Sequence, residues 1–153
     1  MAPFLYDDIT DLMRNLLQRV VKSNVLEAAD TPRKLIAIDL QDGKNILSQE
    51  KLSIGIGAVS EMAKAKCSEL QKMEFQKQFQ KFIIALIDKV VERSPLKYKA
   101  TRTISCINPS LILYNRTTSE TRMTDLLQML HDLGRITSTE ADDVKAQFSE
   151  LCA

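Results

Sequence analysis

The chain is short of the residues that most enzyme chemistry uses. Among 153 residues there is one histidine, His131, three cysteines and no tryptophan. A single histidine excludes a multi-histidine metal site. Cys67, Cys106 and Cys152 stand 39 and 46 residues apart. That spacing excludes a disulfide framework and a C-x-x-C zinc knuckle. The cysteines are expected to behave as small apolar groups in a reducing compartment. No apolar run reaches the ~18 residues of a conventional membrane span. The opening Met1-Ala2-Pro3-Phe4 has no basic region followed by an apolar one, so no signal-peptide pattern is expected. Long repeats and low-complexity tracts are missing as well. What remains is a composition near the globular average. At this length a single domain can bury roughly 68–70% of its unfolded surface.

A formal charge of +1 conceals a segregation. Residues 1–63 carry net −2, residues 64–102 net +6 and residues 103–153 net −3. A basic centre between acidic flanks can attract a polyanion such as DNA. The same cations also serve simply to solvate the outer faces of long helices.

The periodicity is helical at both ends. Ile9, Leu12, Met13, Leu16, Leu17, Val20 and Val21 recur at the 3, 4, 7 spacing of one helix face. Asp7, Asp8 and Asp11 are expected in its early turns and Arg19 and Lys22 in its last, complementing the helix dipole. Ser23-Asn24 is expected to end it, with a short further turn over Val25 to Ala29. Thr31-Pro32 marks a break, or a cap followed by a first-turn proline. Residues 33–57 are the least helical stretch. Ile36, Ile38 and Leu40 alternate with polar or small residues, and Asp42-Gly43 is a turn signal. A loop laid on helices is favoured there over a small hairpin, which would be marginal alone.

Helix returns over 58–93, clearest at Phe79, Phe82, Ile83, Leu86, Ile87, Val90 and Val91. Its early half is weaker, with a break expected near 68–74. Ser94-Pro95 ends it, because the residue before proline avoids helical angles. A short helix over 96–107 and a second short turn at Leu111, Ile112 and Leu113 follow. Met123, Leu126, Leu127, Leu130 and Leu133 form another stripe, and Gly134 suits the left-handed position past a helix end. Thr137 and Glu140 form a capping box for a last helix bearing Ala141, Val144, Phe148 and Leu151. These two helices should be antiparallel neighbours. The expected fold is all-α: an irregular bundle of five to seven helices, residues 1–153 in one domain, loop-rich near residues 30–57.

Candidate chemistry is sparse. Ile54-Gly55-Ile56-Gly57 lacks the third glycine of a nucleotide-binding turn, since position 60 is Ser60. His131 has no marked nucleophile beside it in sequence. Asp7, Asp8, Asp11, Asp142 and Asp143 lack the alternating ligands and central glycine of a calcium loop. Asn115-Arg116-Thr117 matches a glycosylation acceptor without a secretory context. No catalytic, metal-binding or cofactor-binding residue is assigned. The best surface candidate is Lys97, Tyr98, Lys99 and Arg102, where cations flank an aromatic ring. That mixture can hold phosphates and stack on a base.

The order of motifs is Pro3-Phe4-Leu5, Asp39-Leu40, Ile54-Gly55-Ile56-Gly57, Ser94-Pro95-Leu96-Lys97-Tyr98, Ser105-Cys106-Ile107-Asn108-Pro109 and Thr137-Ser138-Thr139-Glu140-Ala141. This order resembles the helical part of hAT-type DNA transposases and the vertebrate proteins domesticated from them. In that family a zinc-finger module binds DNA. An RNase H-like core with three metal-binding acids cuts it, and a helical domain is inserted in the core. The resemblance implies a piece of a larger transposase-like protein, intracellular and nuclear, without the catalytic core. The expected function is a non-catalytic helical module making protein–protein or protein–DNA contacts. Its expected partners are DNA through the basic 64–102 segment, or a protein or second copy, with no membrane and no small-molecule cofactor. The alternative is a stand-alone adaptor holding partner helices in an apolar groove. A small enzyme using His131 or a cysteine ranks last.

Overall fold

The computed structural model describes residues 2–65 and 67–152. Among them are nine α-helices and no strand; the one β-type pairing is an isolated antiparallel bridge between Val21 and Ile46. The helices are α1 (Ala2–Leu17), α2 (Ser23–Ala28), α3 (Pro32–Ile36), α4 (Ile56–Lys64), α5 (Glu69–Arg93), α6 (Lys99–Ile104), α7 (Pro109–Tyr114), α8 (Arg116–Asp132) and α9 (Ser138–Leu151). The count exceeds seven because α2, α3, α6 and α7 are one- or two-turn pieces. The chain divides into two compact units, residues 10–94 and residues 1–9 with 95–153.

In the unit of residues 10–94, Met13, Leu17, Val20, Val21, Leu26, Leu35, Leu40, Leu52, Ile83 and Ile87 are buried. The helix α1 stops at Leu17 rather than near Ser23, so Val20 and Val21 enter this core from a turn. Arg14 is the basic residue of its last turn, and Arg19 and Lys22 lie beyond it. Because α1 begins at Ala2, Asp7, Asp8 and Asp11 fall after its first turn, and dipole compensation does not account for them. Thr31 caps α3, its hydroxyl accepting from the Lys34 amide at 3.4 Å, with Pro32 at the first helical position. Residues 37–55 are a loop and not a hairpin, apart from a 3-10 turn at Gln49–Lys51. Asp39 and Asp42 each accept a backbone N–H two residues on, at 2.8 Å, which satisfies the loop's amides locally. The loop is then fastened to the helical part. Lys22 N–H donates to the Asn45 carbonyl at 2.9 Å and Leu47 N–H to the Val20 carbonyl at 2.8 Å.

The break in the long helical stretch comes earlier than expected. The helix α4 ends at Lys64, and Ser68 begins α5 with a capping box to Gln71. Gly55 at the head of α4 has φ 89°, a conformation that glycine adopts at no steric cost. Ser94 ends α5 in extended geometry ahead of Pro95.

The other unit is built around one turn. Cys106, Met123, Leu127 and Phe148 are buried together, with Ile112, Leu126, Ile136, Ala141 and Cys152 packed against them. The residues Ser105, Asn108 and Ser119 are buried too. The Ser119 hydroxyl donates to the Cys106 carbonyl at 2.6 Å, and Arg122 Nη1 donates to Ser105 Oγ at 2.6 Å. Ser105 Oγ in turn donates to the Arg102 carbonyl. Asn108 Oδ1 caps α7 by accepting from the Ser110 amide at 3.0 Å, while its Nδ2 donates to Asp7 at 2.9 Å. The motif Ser105-Cys106-Ile107-Asn108-Pro109 is therefore structural. Gly134, at φ 64°, closes α8: its N–H donates to the His131 carbonyl and the Arg135 N–H to the Leu130 carbonyl. Arg116 reaches the Ser149 carbonyl at 3.3 Å while His131 lies beside Ser138, so α8 and α9 run antiparallel.

Two outcomes follow. Ser119→Ala leaves the buried Cys106 carbonyl without its side-chain donor, and denaturant unfolding should show a loss of about 1–3 kcal/mol. Glu140 accepts from the Thr137 backbone N–H at 2.8 Å and from its hydroxyl at 2.9 Å, which holds its carboxyl below the usual range. A folded pKa lowered in this way stabilises α9 above the ordinary carboxylate range and ceases to as pH falls through the lowered value. An NMR titration should place the Glu140 midpoint below those of glutamates outside such caps. Protection of the first α9 amides should fall with it.

Candidate interaction surfaces

The basic surface at 95–102 grows out of a buried anchor. Leu96, in the 3-10 turn Pro95–Lys97, is buried, and the Tyr98 amide donates to the Pro95 carbonyl at 3.0 Å. Tyr98 itself is 58% exposed. The Lys97 ammonium lies 5.4 Å from the centre of its ring. Arg102 and Lys99 both face Asp125 of α8, at 3.0 and 3.8 Å. The structure thus brings together the four expected DNA-contacting residues, and adds a carboxylate that the sequence did not link to them. A phosphate reaching Arg102 or Lys99 has to compete with Asp125.

The remaining sequence candidates lie apart. His131 is exposed in the last turn of α8, its Nδ1 3.9 Å from Asp132. It lines a groove of about 240 Å³ between α8 and α9, whose lining includes no cysteine. Cys106 is fully buried, and burial pushes its thiol up from the ordinary value, away from the reactive thiolate. Among the described residues no group of three or more His, Cys, Asp or Glu is placed to hold a metal ion. Asn115 of the glycosylation pattern caps α8, its Oδ1 accepting from the Thr118 amide at 3.2 Å. No helix among the described residues is long and apolar enough to cross a membrane.

A second surface lies on α5. Ile83 and Ile87 turn into the core, but Phe82 is 62% exposed, and Phe75 and Leu86 are exposed too. With Phe79, half-buried, they form a stripe spaced 4, 3 and 4 residues. The Phe75 and Phe79 rings stack with centres 6.5 Å apart. This spacing is that of two successive heptads in a helix–helix seam. At 3.6 residues per turn the half of α5 centred on the stripe carries Lys72, Lys89 and Arg93, and its carboxylates lie outside that half. Sequence periodicity marked Phe79, Phe82 and Leu86 together with Ile83, Ile87, Val90 and Val91, without Phe75 and without separating the exposed edge from the buried one.

No protein-family model matches the chain, and no curated protein or solved structure matches it either.

If the 97–102 surface holds duplex DNA, Asp125→Asn should strengthen binding. Two cations released to phosphate should steepen the log–log salt dependence by about 2. An unchanged affinity and slope in a fluorescence titration at several salt concentrations removes DNA from this surface.

Proposed function

We propose that this chain is a non-catalytic helical interaction module whose α5 stripe docks an amphipathic, acid-flanked helix of a partner protein. The observation that carries the reading is the exposed Phe75–Phe82–Leu86 edge at heptad spacing. Isolated exposed apolar residues are ordinary on protein surfaces, whereas a row of them on one helix face is the mark of a helix-docking seam. Charge selects the occupant. In an antiparallel second copy, Phe75 against Leu86 sets Lys72 opposite Lys89, two like charges. An acidic helix meets the same cations favourably by taking the place of Glu69 and Glu92, which hold Lys72 and Lys89 at 2.7 and 2.6 Å. The motif order that resembles hAT-type transposases supports an origin in such a module, and with it a nuclear site of action. The docking reading rests on α5 alone. Contact with DNA through the basic segment is the second reading, favoured by Lys97 lying over an exposed Tyr98.

The test uses a designed peptide with Leu at its seam positions and Glu on both flanks, and a counterpart with Lys flanks. Fluorescence anisotropy should show the acidic peptide binding and the basic one binding at least about tenfold more weakly. Phe82→Asp should abolish binding with the circular-dichroism spectrum unchanged, because Phe82 is not a core residue. Equal binding of the two peptides, or full binding by the Phe82→Asp protein, overturns the reading.

A further inference from the structure

A cleft of about 580 Å³ opens between the 40–51 loop and α5, in the unit of residues 10–94. Its volume lies in the range of small-molecule sites. Leu40, Ile46, Leu47 and Ile84 supply apolar lining, and Gln41, Ser48, Gln49 and Gln80 supply neutral polar lining. Among the described residues its charged lining residues are Lys22 and Lys51, both cations. Three features point to a ligand. First, the walls are pinned before anything binds. Gln80 Nε2 donates to the Leu47 carbonyl at 3.2 Å, and Asn45 Nδ2 donates to the Asp39 carbonyl at 2.9 Å. The amides of Lys22 and Leu47 tie the loop to residues 20–22, just past the end of α1. A preformed site spares the ligand the cost of ordering a loop. Second, the Lys22 ammonium of the lining is fixed by donating one N–H to the Lys44 carbonyl at 2.6 Å, and an ammonium carries three. Third, among the described residues the lining includes no carboxylate that would neutralise the cations in place, unlike the Lys99–Arg102–Asp125 cluster.

We infer that this cleft binds a small organic carboxylate, with the apolar body over Leu40, Leu47 and Ile84 and the carboxylate between Lys22 and Lys51. The site is independent of the helix-docking seam, since Gln80 and Ile84 lie about half a turn around α5 from Phe82.

The probes are 4-phenylbutyrate, its uncharged primary amide and inorganic phosphate, titrated into the full chain and followed by amide chemical shifts. Shifts caused by 4-phenylbutyrate should map to residues 40–51, 80 and 84. The carboxylate should bind about tenfold more tightly than the amide, the value of one charge-assisted hydrogen bond. Lys51→Met should lose that tenfold advantage and leave amide binding unchanged. Ser48→Trp, at an exposed lining position, should block both organic probes. Because Lys22 also holds the loop, the Lys51 variant carries the test. Equal affinities for carboxylate and amide, shifts scattered outside the cleft, or full displacement of 4-phenylbutyrate by phosphate at equal concentration overturns the proposal.

Discussion

The turn at residues 105–109 has to bury backbone carbonyls and side-chain polar atoms in an apolar surround, and it survives because α8 supplies the missing partners. Ser119 and Arg122 stand three residues apart on one face of α8, and they reach the Cys106 carbonyl and the Ser105 hydroxyl from that face. The same face continues into Met123 and Leu127, which are buried against Cys106 and Phe148. Asn108 then fastens two further segments, capping α7 and holding Asp7 of α1. The guanidinium of Arg122 also covers the Tyr6 ring, 5.0 Å from its centre. Among the described residues no buried side-chain polar atom lacks a partner. A polar turn inside an apolar unit is stable only on that condition.

The unit of residues 10–94 solves a different problem. Its loop has few regular hydrogen bonds of its own, so side chains of Asp39, Asp42 and Asn45 satisfy the backbone locally, and three backbone bonds tie it to residues 19–22. Fixing the loop leaves a cleft against α5 on one side. The other side of α5 keeps an apolar edge exposed at Phe75, Phe82 and Leu86. One 25-residue helix thus presents a buried face, a cleft wall at Gln80 and Ile84 and an exposed seam. That division is possible because its apolar sector, from Phe75 around to Ile87, is wider than the core it packs on.

The basic centre of the chain reads differently once neighbours are known. Of its cations, Lys72 and Lys89 hold Glu69 and Glu92 of their own helix at 2.7 and 2.6 Å, and Lys99 and Arg102 share Asp125. The net charge of a segment therefore overstates the field it offers to a polyanion, since exposed pairs neutralise one another at close range.

Local signals settled much of this protein before any packing was known. The Thr137–Glu140 capping box, the Gly134 helix end, the Thr31-Pro32 start and the Ser94-Pro95 stop each act within a few residues, and each sits in the structure where its side chains imply. The all-α class and the antiparallel α8–α9 pair followed from periodicity and a short connection. What periodicity does not contain is which part of an apolar stripe finds a neighbour. Phe82, Val144 and Leu151 share the spacing of buried residues and are exposed, while Ser105, Ser119 and Asn108 look like surface residues and are buried. Nor does it contain the distance from Asp125 to Arg102, the burial of Cys106, or the meeting of Lys22 and Lys51 at one cleft. Those depend on segments tens of residues apart coming together, and only the tertiary structure decides them.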